Sequence, residues 1–349
     1  MKRMQKTLSL TLALVMMLLL VSCGGNGGSN GGSSAPADTK TPAPTETTEP
    51  AKNDDKALEV AYLLPSAAVP FWVYLQNGIQ EKCDEYGYNL TVYDSNNEAS
   101  TQLKNAQNAI TTGKDLIIIS PCDSSSCPAV LDVAEEAGIP VIVADVGTDS
   151  GTYASYISTP NYEGAHEVGE YLAKYMKENG VDGTIGEITI PLSRKNGQLR
   201  QEGFTKAVTD AGFQMGTSLS VSNSTYDEAE GFCQNIISGD PNCVAIWSHQ
   251  ETSTVGIITA LEGMNEKDVL IACFDGSPII VEYIQQGKVL CCGAQQPVEM
   301  GRQALETGKT YIETGSCDAE VGVPTLLITA ENVEELMPEI EANVYTPGV

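Results

Sequence analysis

The chain has 349 residues, of which 42% are hydrophobic, and it carries 19 Lys and Arg against 46 Asp and Glu, a formal net charge of -27. This length predicts about two lobes rather than one core, and apolar content spread along the chain excludes global disorder. The acidic charge argues against a nucleic-acid partner, because phosphate binding needs clustered Lys and Arg.

The N-terminus has the pattern of a bacterial export signal. Basic residues near the start are followed by an uncharged run of fourteen residues at 8–21, which is short for a bilayer span. Residues 20–23 (LVSC) resemble a lipobox, in which the Cys is lipid-modified and becomes the mature N-terminus. An ordinary cleaved signal followed by a chance Cys is the alternative. We predict a signal peptide at 1–22 and a lipid anchor on Cys23 that holds the protein at the outer face of the cell membrane.

The next segment has the composition of a disordered linker. It is rich in Gly, Ser and Asn and then in Pro, Thr and Glu, with almost no large apolar side chain before Leu58. Such a segment cannot bury enough surface to offset the entropy of ordering it. We predict a linker over 23–57 and a folded region that begins near Leu58.

From Leu58 onward, short β-branched runs alternate with helix-length segments. Apolar strands of this kind are typical of a parallel sheet that is buried on both faces. In the first half, the predicted strands are 58–64, 90–94, 116–120 and 140–145, and the predicted helices are 71–86, 101–112 and 129–137. The alternation then restarts, with strands at 184–190, 218–221, 243–248, 269–274, 290–295 and 325–329 and helices at 162–178, 197–211, 227–237, 253–261, 278–286 and 298–307. The pattern predicts two α/β lobes in tandem, each a doubly wound parallel sheet.

Nine Cys follow Cys23, an odd number, and most lie inside apolar strand-like runs. We predict buried thiols, although Cys122 and Cys127 could close a small loop. The adjacent Cys291 and Cys292 should face opposite sides of a strand. The Cys and His spacing does not fit a zinc site, so we expect neither a metal nor a cofactor.

In open parallel sheets, ligands bind outside the carboxyl ends of the strands. Polar and aromatic residues stand at those ends here: Ser66, Phe71, Trp72, Asp145, Gln250, Glu251, Asp275 and Gln295. Carboxylates and amides can bond several hydroxyl groups, and aromatic faces cover the apolar C–H surface of a sugar ring. The set therefore suits a neutral sugar or polyol.

Seven motifs in order make this pattern more specific. They are SAAVPFW (66–72), IPVIVAD (139–145), NYEG (161–164), RQEGF (200–204), TYD (225–227), CFDGSP (273–278) and AQQPVEMG (294–301). Residues 58 to about 329 thus resemble the sugar-binding branch of the type I periplasmic binding proteins, the ribose-binding-protein-like receptors of ABC importers.

The resemblance implies two lobes joined by a three-segment hinge, an N-terminal lobe at 58–160 plus 296–322 and a C-terminal lobe at 161–295 plus 323–345. It also implies capture of a small neutral ligand by hinge closure and delivery to an ABC permease. The ligand-binding residues that it nominates are Ser66, Phe71 and Trp72 as one wall, Asp145 for hydroxyl groups, Arg200 as a fork of donors, Tyr226 stacking from the opposite side, and Gln250, Asp275 and Gln295.

Three positions depart from the ribose-binding pattern. Val69, Val146 and Gln250-Glu251 stand where such relatives usually carry Asn, Arg and Asn-Asp. Loss of an Arg and an amide removes several hydroxyl contacts, which argues against ribose itself. Trp72, and Trp247 or His249 if they face the cleft, would favour a larger or less hydroxylated ligand.

Each nominated residue also has a purely structural interpretation. Phe71 and Trp72 could be core, the aspartates could order turns, and Arg200 could be a surface residue paired with Glu202 or Asp210.

Other functional classes fit less well. An enzyme would need a motif such as a GxSxG nucleophile elbow, GxxxxGK[ST] or HExxH. The GxSxG string at 27–31 lies in the predicted linker and follows no strand, and the other two motifs do not occur. A lac-repressor-type regulator would need a basic helix-turn-helix before Leu58. A sensory lipoprotein that presents a sugar or furanosyl signal to a membrane receptor kinase remains the alternative to transport. We predict a monomeric, non-enzymatic receptor.

Overall fold

The computed structural model describes residues 57–222, 224–265 and 268–346. The predicted signal peptide, Cys23 and the linker up to residue 56 lie outside the described residues.

Twelve strands occur in the described part of the chain. In chain order they are β1 (Glu59–Leu64), β2 (Asn89–Asp94), β3 (Leu116–Ile119), β4 (Val141–Ala144), β5 (Ser155–Ser158), β6 (Thr184–Thr189), β7 (Gln214–Ser220), β8 (Cys243–Ser248), β9 (Leu270–Phe274), β10 (Cys291–Ala294), β11 (Glu320–Gly322) and β12 (Leu326–Thr329).

The helices between them are α1 (Pro70–Tyr86), α2 (Ala99–Thr111), α3 (Cys127–Ala137), α4 (Asn161–Asn179), α5 (Lys195–Asp210), α6 (Tyr226–Gly239), α7 (Glu251–Met264), α8 (Pro278–Gln285), α9 (Pro297–Thr314) and α10 (Val333–Asn343). Several end where the sequence supplies a glycine. Gly138 and Gly180, for example, follow α3 and α4 with φ values of 70° and 65°, in the left-handed region that glycine adopts most easily.

The strands form two six-stranded sheets with the same arrangement. The first has the order β11-β5-β4-β3-β1-β2 and the second the order β12-β10-β9-β8-β6-β7. All pairings are parallel except that β12 runs antiparallel to β10. The central strands β3 and β4 are buried at every position, because helices cover both faces of the sheet. The predicted fold class, two doubly wound parallel-sheet lobes, is confirmed.

The chain passes between the two sheets three times. The passages lie between β5 and α4, between β10 and α9, and between β11 and β12. Helix α9 returns to the first sheet and packs on α1, and β11 then adds to the edge of that sheet beside β5. We call the first sheet with its helices the first lobe and the second sheet with its helices the second lobe. The exact lobe boundaries at 160, 295 and 322 stay a prediction.

Three elements were not predicted from the sequence. They are β5, β11 and α10, which are short or atypical. Strand β11 has three residues, none of them buried, and α10 contains Pro338, which normally argues against a helix interior. Each of them lies against elements that are distant in the sequence, such as α10 on α9 and α8.

The nine described cysteines are free thiols, and eight of them are buried. Cys122 and Cys127 are therefore not bonded to each other. Cys291 and Cys292 belong to core clusters on opposite faces of the second sheet, as the strand alternation predicted. Among the described residues, no His, Cys, Asp and Glu group could hold a metal ion, and no helix is long and apolar enough to cross a membrane.

Candidate functional site

A cavity of about 260 Å³ lies between the carboxyl ends of the two sheets. All nine residues nominated from the sequence line it. The lining residues are Ser66, Ala68, Val69, Phe71, Trp72, Asn97, Asp145, Ile190, Arg194, Asn196, Arg200, Ser224, Thr225, Tyr226, Gln250, Thr252, Asp275 and Gln295. The cavity is walled by both lobes and is smaller than the roughly 300–1,000 Å³ of pockets for drug-sized ligands.

Asp145 follows β4 directly and reaches the cavity from the first lobe. Its φ of 64° lies in the left-handed region, which Asp tolerates better than most residues and which is often found at functional sites. Its Oδ2 accepts a hydrogen bond of 3.0 Å from Asn196 Nδ2, whereas its buried Oδ1 has no partner in the described structure. Burial raises the pKa of Asp145 to about 6, although the Arg200 charge opposes the rise.

Asp275 is the counterpart of Asp145 in the second lobe. It follows β9, which occupies the same place in the second sheet that β4 occupies in the first. Its φ is 74°, also left-handed. Its Oδ1 accepts a 2.6 Å hydrogen bond from Gln295 Nε2 and lies 4.0 Å from Arg200 Nη1, whereas the Oδ1 of Asp145 has no partner in the described structure.

Arg200 projects from α5 and is only 2% exposed. Its Nε donates to Asn161 Oδ1 at 2.8 Å and its Nη1 to the His249 carbonyl at 2.6 Å. Its guanidinium lies 4.3 Å from the centre of the Phe274 ring. Burial lowers its pKa, and the Asp275 and Asp145 carboxylates oppose that change. The surface interpretation, with Glu202 or Asp210 as a partner, is wrong.

The aromatic residues differ in how far they are buried. Phe71 and Trp72 occupy the first turn of α1, with ring centres 4.9 Å apart at an interplanar angle of 88°. They are 9% and 5% exposed and belong to the core of the first lobe while also lining the cavity. Their role in ligand binding stays a prediction. Tyr226, at the start of α6, is 50% exposed and lines the cavity from the second lobe.

Three polar side chains complete the nominated set. Ser66 Oγ accepts from the Ala68 backbone N–H at 3.3 Å, and Gln250 Nε2 donates to Ser253 Oγ at 3.2 Å. The buried Oε1 of Gln295 has no hydrogen-bond partner in the described part of the protein. The cavity wall thus contains two buried acceptor oxygens, on Asp145 and Gln295, that no described protein group satisfies.

Sequence reasoning missed six polar lining residues: Asn97, Arg194, Asn196, Ser224, Thr225 and Thr252. Arg194 and Asn196 lie where β6 leads into α5, the same place that Phe71 and Trp72 occupy after β1 in the first lobe. The internal repetition of the two lobes was therefore a signal that could have found them. Equivalent strand ends of the two lobes, rather than family motifs, indicate Arg194 and Asn196.

Trp247 and His249 do not line this cavity. Trp247 is fully buried and stacks on Phe204 with ring centres 4.4 Å apart. His249 Nε2 lies 3.0 Å from Glu187 Oε1 inside the second lobe, and burial lowers the histidine pKa against the effect of that carboxylate. The argument from these two residues for a larger ligand was wrong, because both turn into the core.

Comparisons with known proteins agree with this architecture. The model of the "Periplasmic binding protein domain" family matches residues 60–316. The ribose import binding protein RbsB of Escherichia coli is 29% identical over 248 residues, which cover 70% of this chain and 82% of that protein. The D-apiose import binding protein of Actinobacillus succinogenes is 26% identical over 241 residues, covering 68% and 76%.

A solved structure shows the same fold at low sequence identity. The solute-binding protein of an Actinobacillus succinogenes ABC transporter, with bound D-allose, superposes with a TM-score of 0.75 at 23% identity, over 80% of this chain and 99% of that one. Because the family model covers most of the folded region, and the two lobes repeat the architecture of such receptors, the chain belongs to the periplasmic binding protein family and has its type I fold.

Proposed function

We propose that this protein is an extracytoplasmic solute-binding lipoprotein that captures a small neutral carbohydrate-like ligand between its lobes and delivers it to an ABC permease. The ligand-binding residues are the nine nominated from the sequence together with the polar residues added by the structure. The observation that carries the proposal is the buried, unpartnered Oδ1 of Asp145 on a cavity walled by both lobes.

The charges around the cavity support an uncharged ligand. Two arginines, Arg194 and Arg200, line it together with two carboxylic side chains, Asp145 and Asp275. These four groups balance at neutral pH, so neither an anionic nor a cationic ligand is favoured by an excess of the opposite charge. Hydroxyl groups, which both donate and accept, can satisfy carboxylate acceptors and guanidinium donors in the same site.

The shape and the walls of the cavity support a ring-shaped polyol. The volume of about 260 Å³ is suited to a ligand of about monosaccharide size. Phe71 and Trp72 offer apolar surface from the first lobe, against which the C–H face of a sugar ring can pack. The ligands in the names of the relatives above, ribose, D-apiose and D-allose, are of this class.

Hydrogen bonds across the cleft support capture by closure of the two lobes. Residues 194–196 of the second lobe contact the loops that follow β3 and β4 in the first lobe. Asn196 bonds Asp145, Arg194 Nε donates to the Cys122 carbonyl at 2.9 Å, and the Lys195 N–H donates to Ser124 Oγ at 3.1 Å. A ligand held between the lobes would add contacts to both walls and so favour this closed arrangement.

Thermal unfolding with and without added ligands tests the binding proposal. D-Ribose, D-allose, D-apiose and myo-inositol should be compared with amino acids and nucleosides, and the best compound then titrated by calorimetry. We expect at least one sugar or polyol to raise the unfolding temperature through mass action. Stabilisation by amino acids or nucleosides alone would contradict the carbohydrate proposal.

The anchoring proposal has a separate test. Cys23→Ala should move the protein from the membrane fraction to the soluble fraction, because the acyl chains can no longer be attached. Cys83→Ala removes a buried thiol of the folded region and serves as the matched control that should stay with the membrane. Unchanged membrane retention of the Cys23 variant would contradict lipid anchoring.

A further inference from the structure

Arg194 occupies an unusual place in the cleft. It precedes α5 in the second lobe, is only 8% exposed and lines the cavity. Two of its three nitrogens bond the first lobe: Nε donates to the Cys122 carbonyl at 2.9 Å, and Nη2 donates to Asn97 Oδ1 at 3.1 Å. One guanidinium therefore touches both lobes and the cavity at once.

Few protein groups pair with the buried guanidinium of Arg194. In residues 57–222, 224–265 and 268–346, Arg194 forms no ion pair with a carboxylate and Nη1 has no hydrogen-bond partner. A buried guanidinium is costly to maintain unless its N–H groups are satisfied. Oxygen atoms of a ligand in the cavity would satisfy them, and the planar fork suits two neighbouring oxygens better than one.

The first-lobe wall of the cavity has no cationic donor. In the described part of the chain, the first-lobe residues that line the cavity include no Arg or Lys. Val146, which follows Asp145, is fully buried and does not line the cavity. Arg194 and Arg200 therefore bring guanidinium groups to the cavity from the second lobe.

We infer that Arg194 is a specificity-determining residue of this site, which donates to neighbouring hydroxyl oxygens of the carbohydrate-like ligand while it bonds the first lobe. This inference rests on the proposed function. Because the contacts to Cys122 and Asn97 require the lobes to meet, the ligand and the first lobe share one donor group, and recognition is linked to closure. The selected ligands are neutral sugars or polyols with a vicinal diol at this end of the cavity.

Lys195 provides a matched control next to Arg194. It also bridges the lobes, since Nζ donates to the Thr148 carbonyl at 2.9 Å, but it does not line the cavity. Removal of either side chain takes away one positive charge and two contacts between the lobes: the hydrogen bonds to Cys122 and Asn97 for Arg194, and the bond to Thr148 with a 4.0 Å ion pair to Asp149 for Lys195. Only removal of Arg194 also takes away donors that face the ligand.

The test measures dissociation constants by calorimetry for D-ribose, D-allose, D-apiose and myo-inositol. Arg194→Met should weaken binding by about 10- to 100-fold, the range for a hydrogen bond to a charged group, whereas Lys195→Met should stay within about threefold of the wild type. Arg194→Lys keeps the charge but loses the fork, so it should change the ratio of affinities between ligands that differ in their diols. Urea unfolding of each variant serves to check that it is folded.

Two results would overturn the assignment of Arg194 as a ligand contact without affecting the proposed function. One is binding by Arg194→Met within threefold of the wild type, and the other is an equal loss in Lys195→Met, which would make Arg194 only a contact between the lobes. An unchanged affinity ratio in Arg194→Lys would overturn the specificity role. Failure of the wild-type protein to bind any of the four compounds would instead overturn the proposed function, and this inference with it.

Discussion

The two lobes reach the cleft from equivalent strand ends but bring different chemistry to it. Asp145 and Asp275 follow strands at matching places in the two sheets, and both have left-handed φ values. Asp275 is paired with Gln295 and lies near Arg200, whereas Asp145 keeps one buried oxygen without a partner. The common fold thus fixes where a carboxylate stands, and its neighbours decide whether it is satisfied by the protein or left for a ligand.

The first loop of each lobe shows the same division. After β1 the chain places Phe71 and Trp72 on the cavity, and after β6 it places Arg194 and Asn196 there. The first lobe therefore supplies apolar ring surface and the second lobe supplies donors. A ligand with an apolar face and a hydroxylated edge satisfies both lobes only when they close on it.

The largest effect is expected from removal of Arg200, whose guanidinium lies near Asp275. Arg200→Met should destabilise folding by about 3–5 kcal/mol, because buried carboxylates lose their compensating charge, and should weaken ligand binding by at least about 100-fold. Urea unfolding and calorimetry measure the two effects. Arg302→Met, which removes a partly exposed Arg far from the cavity, is the control. An equal or smaller loss in the Arg200 variant would contradict its place in the site.

The second-largest effect should distinguish Asp145 from Asp275 by the pH dependence of stability. Burial raises the Asp145 pKa from 3.8 to about 6, so the folded protein binds this proton more tightly than the unfolded chain does. Stability from this group is therefore present at low pH and is lost as pH rises from about 4 to about 6. Asp145→Asn should stabilise the ligand-free protein at pH 7 by on the order of 3 kcal/mol, and not at all below about pH 4.

The same variant should lose affinity by roughly 10-fold or more, because a carboxylate acceptor for a ligand hydroxyl is replaced by an amide. Thermal unfolding from pH 4 to 8 and calorimetry at pH 7 measure both changes. Asp275→Asn should instead destabilise at pH 7, since Arg200 loses a charged neighbour, and Asp149→Asn on the surface should change neither property. A uniform destabilisation by Asp145→Asn across this range would contradict the assignment.

Smaller losses of ligand affinity should distinguish the aromatic residues Phe71 and Tyr226. Phe71→Leu keeps apolar volume in the core but removes the ring face, and Tyr226→Ala removes a ring that is half exposed. We expect both to weaken binding, by about 1 kcal/mol for Phe71→Leu and by less for Tyr226→Ala. Unfolding free energy should stay within about 0.5 kcal/mol of the wild type for Tyr226→Ala. A stronger loss of affinity in the Tyr226 variant would reverse this ranking of the two walls.

The smallest signal is spectroscopic and uses the two Trp of the chain. Trp72 lines the cavity, and Trp247 is buried in the core of the second lobe. Ligand addition should change the fluorescence of wild type and of Trp247→Phe, and the change should disappear in Trp72→Phe. A response that persists in Trp72→Phe and is lost in Trp247→Phe would mean that the ligand acts on the second lobe instead.

Much of the fold could be read from the sequence because buried parallel strands have a strong local signature. The runs that became β3 and β9 are uniformly apolar, and their helices end at glycines or turns. Strand β11 and helix α10 could not be read in this way. Their positions depend on packing against elements far away in the sequence, which no local pattern encodes.

The candidate site could likewise be predicted only where a local sequence pattern marks the residue. Family-like motifs led to Asp145, Arg200 and Asp275, which lie on one cavity. Asn97 was not predicted because its place on the cavity depends on how the two lobes meet, whereas Arg194 follows the strand equivalent to β1 and only the repetition of the lobes indicates it. The sequence left open whether Trp247 and His249 face the cleft, because the direction in which each side chain points was decided by the core around it.

The sequence by itself determined the alternation of strands and helices, the two-lobed architecture and the strand ends at which polar cavity-lining residues stand, because these follow from local hydrophobic patterns and chain direction. Only the tertiary structure decided which acceptors stay unsatisfied and which arginines face the cavity. Burial, partner geometry and contact between the lobes arise from residues separated by up to hundreds of positions, so they exist only once the chain has folded.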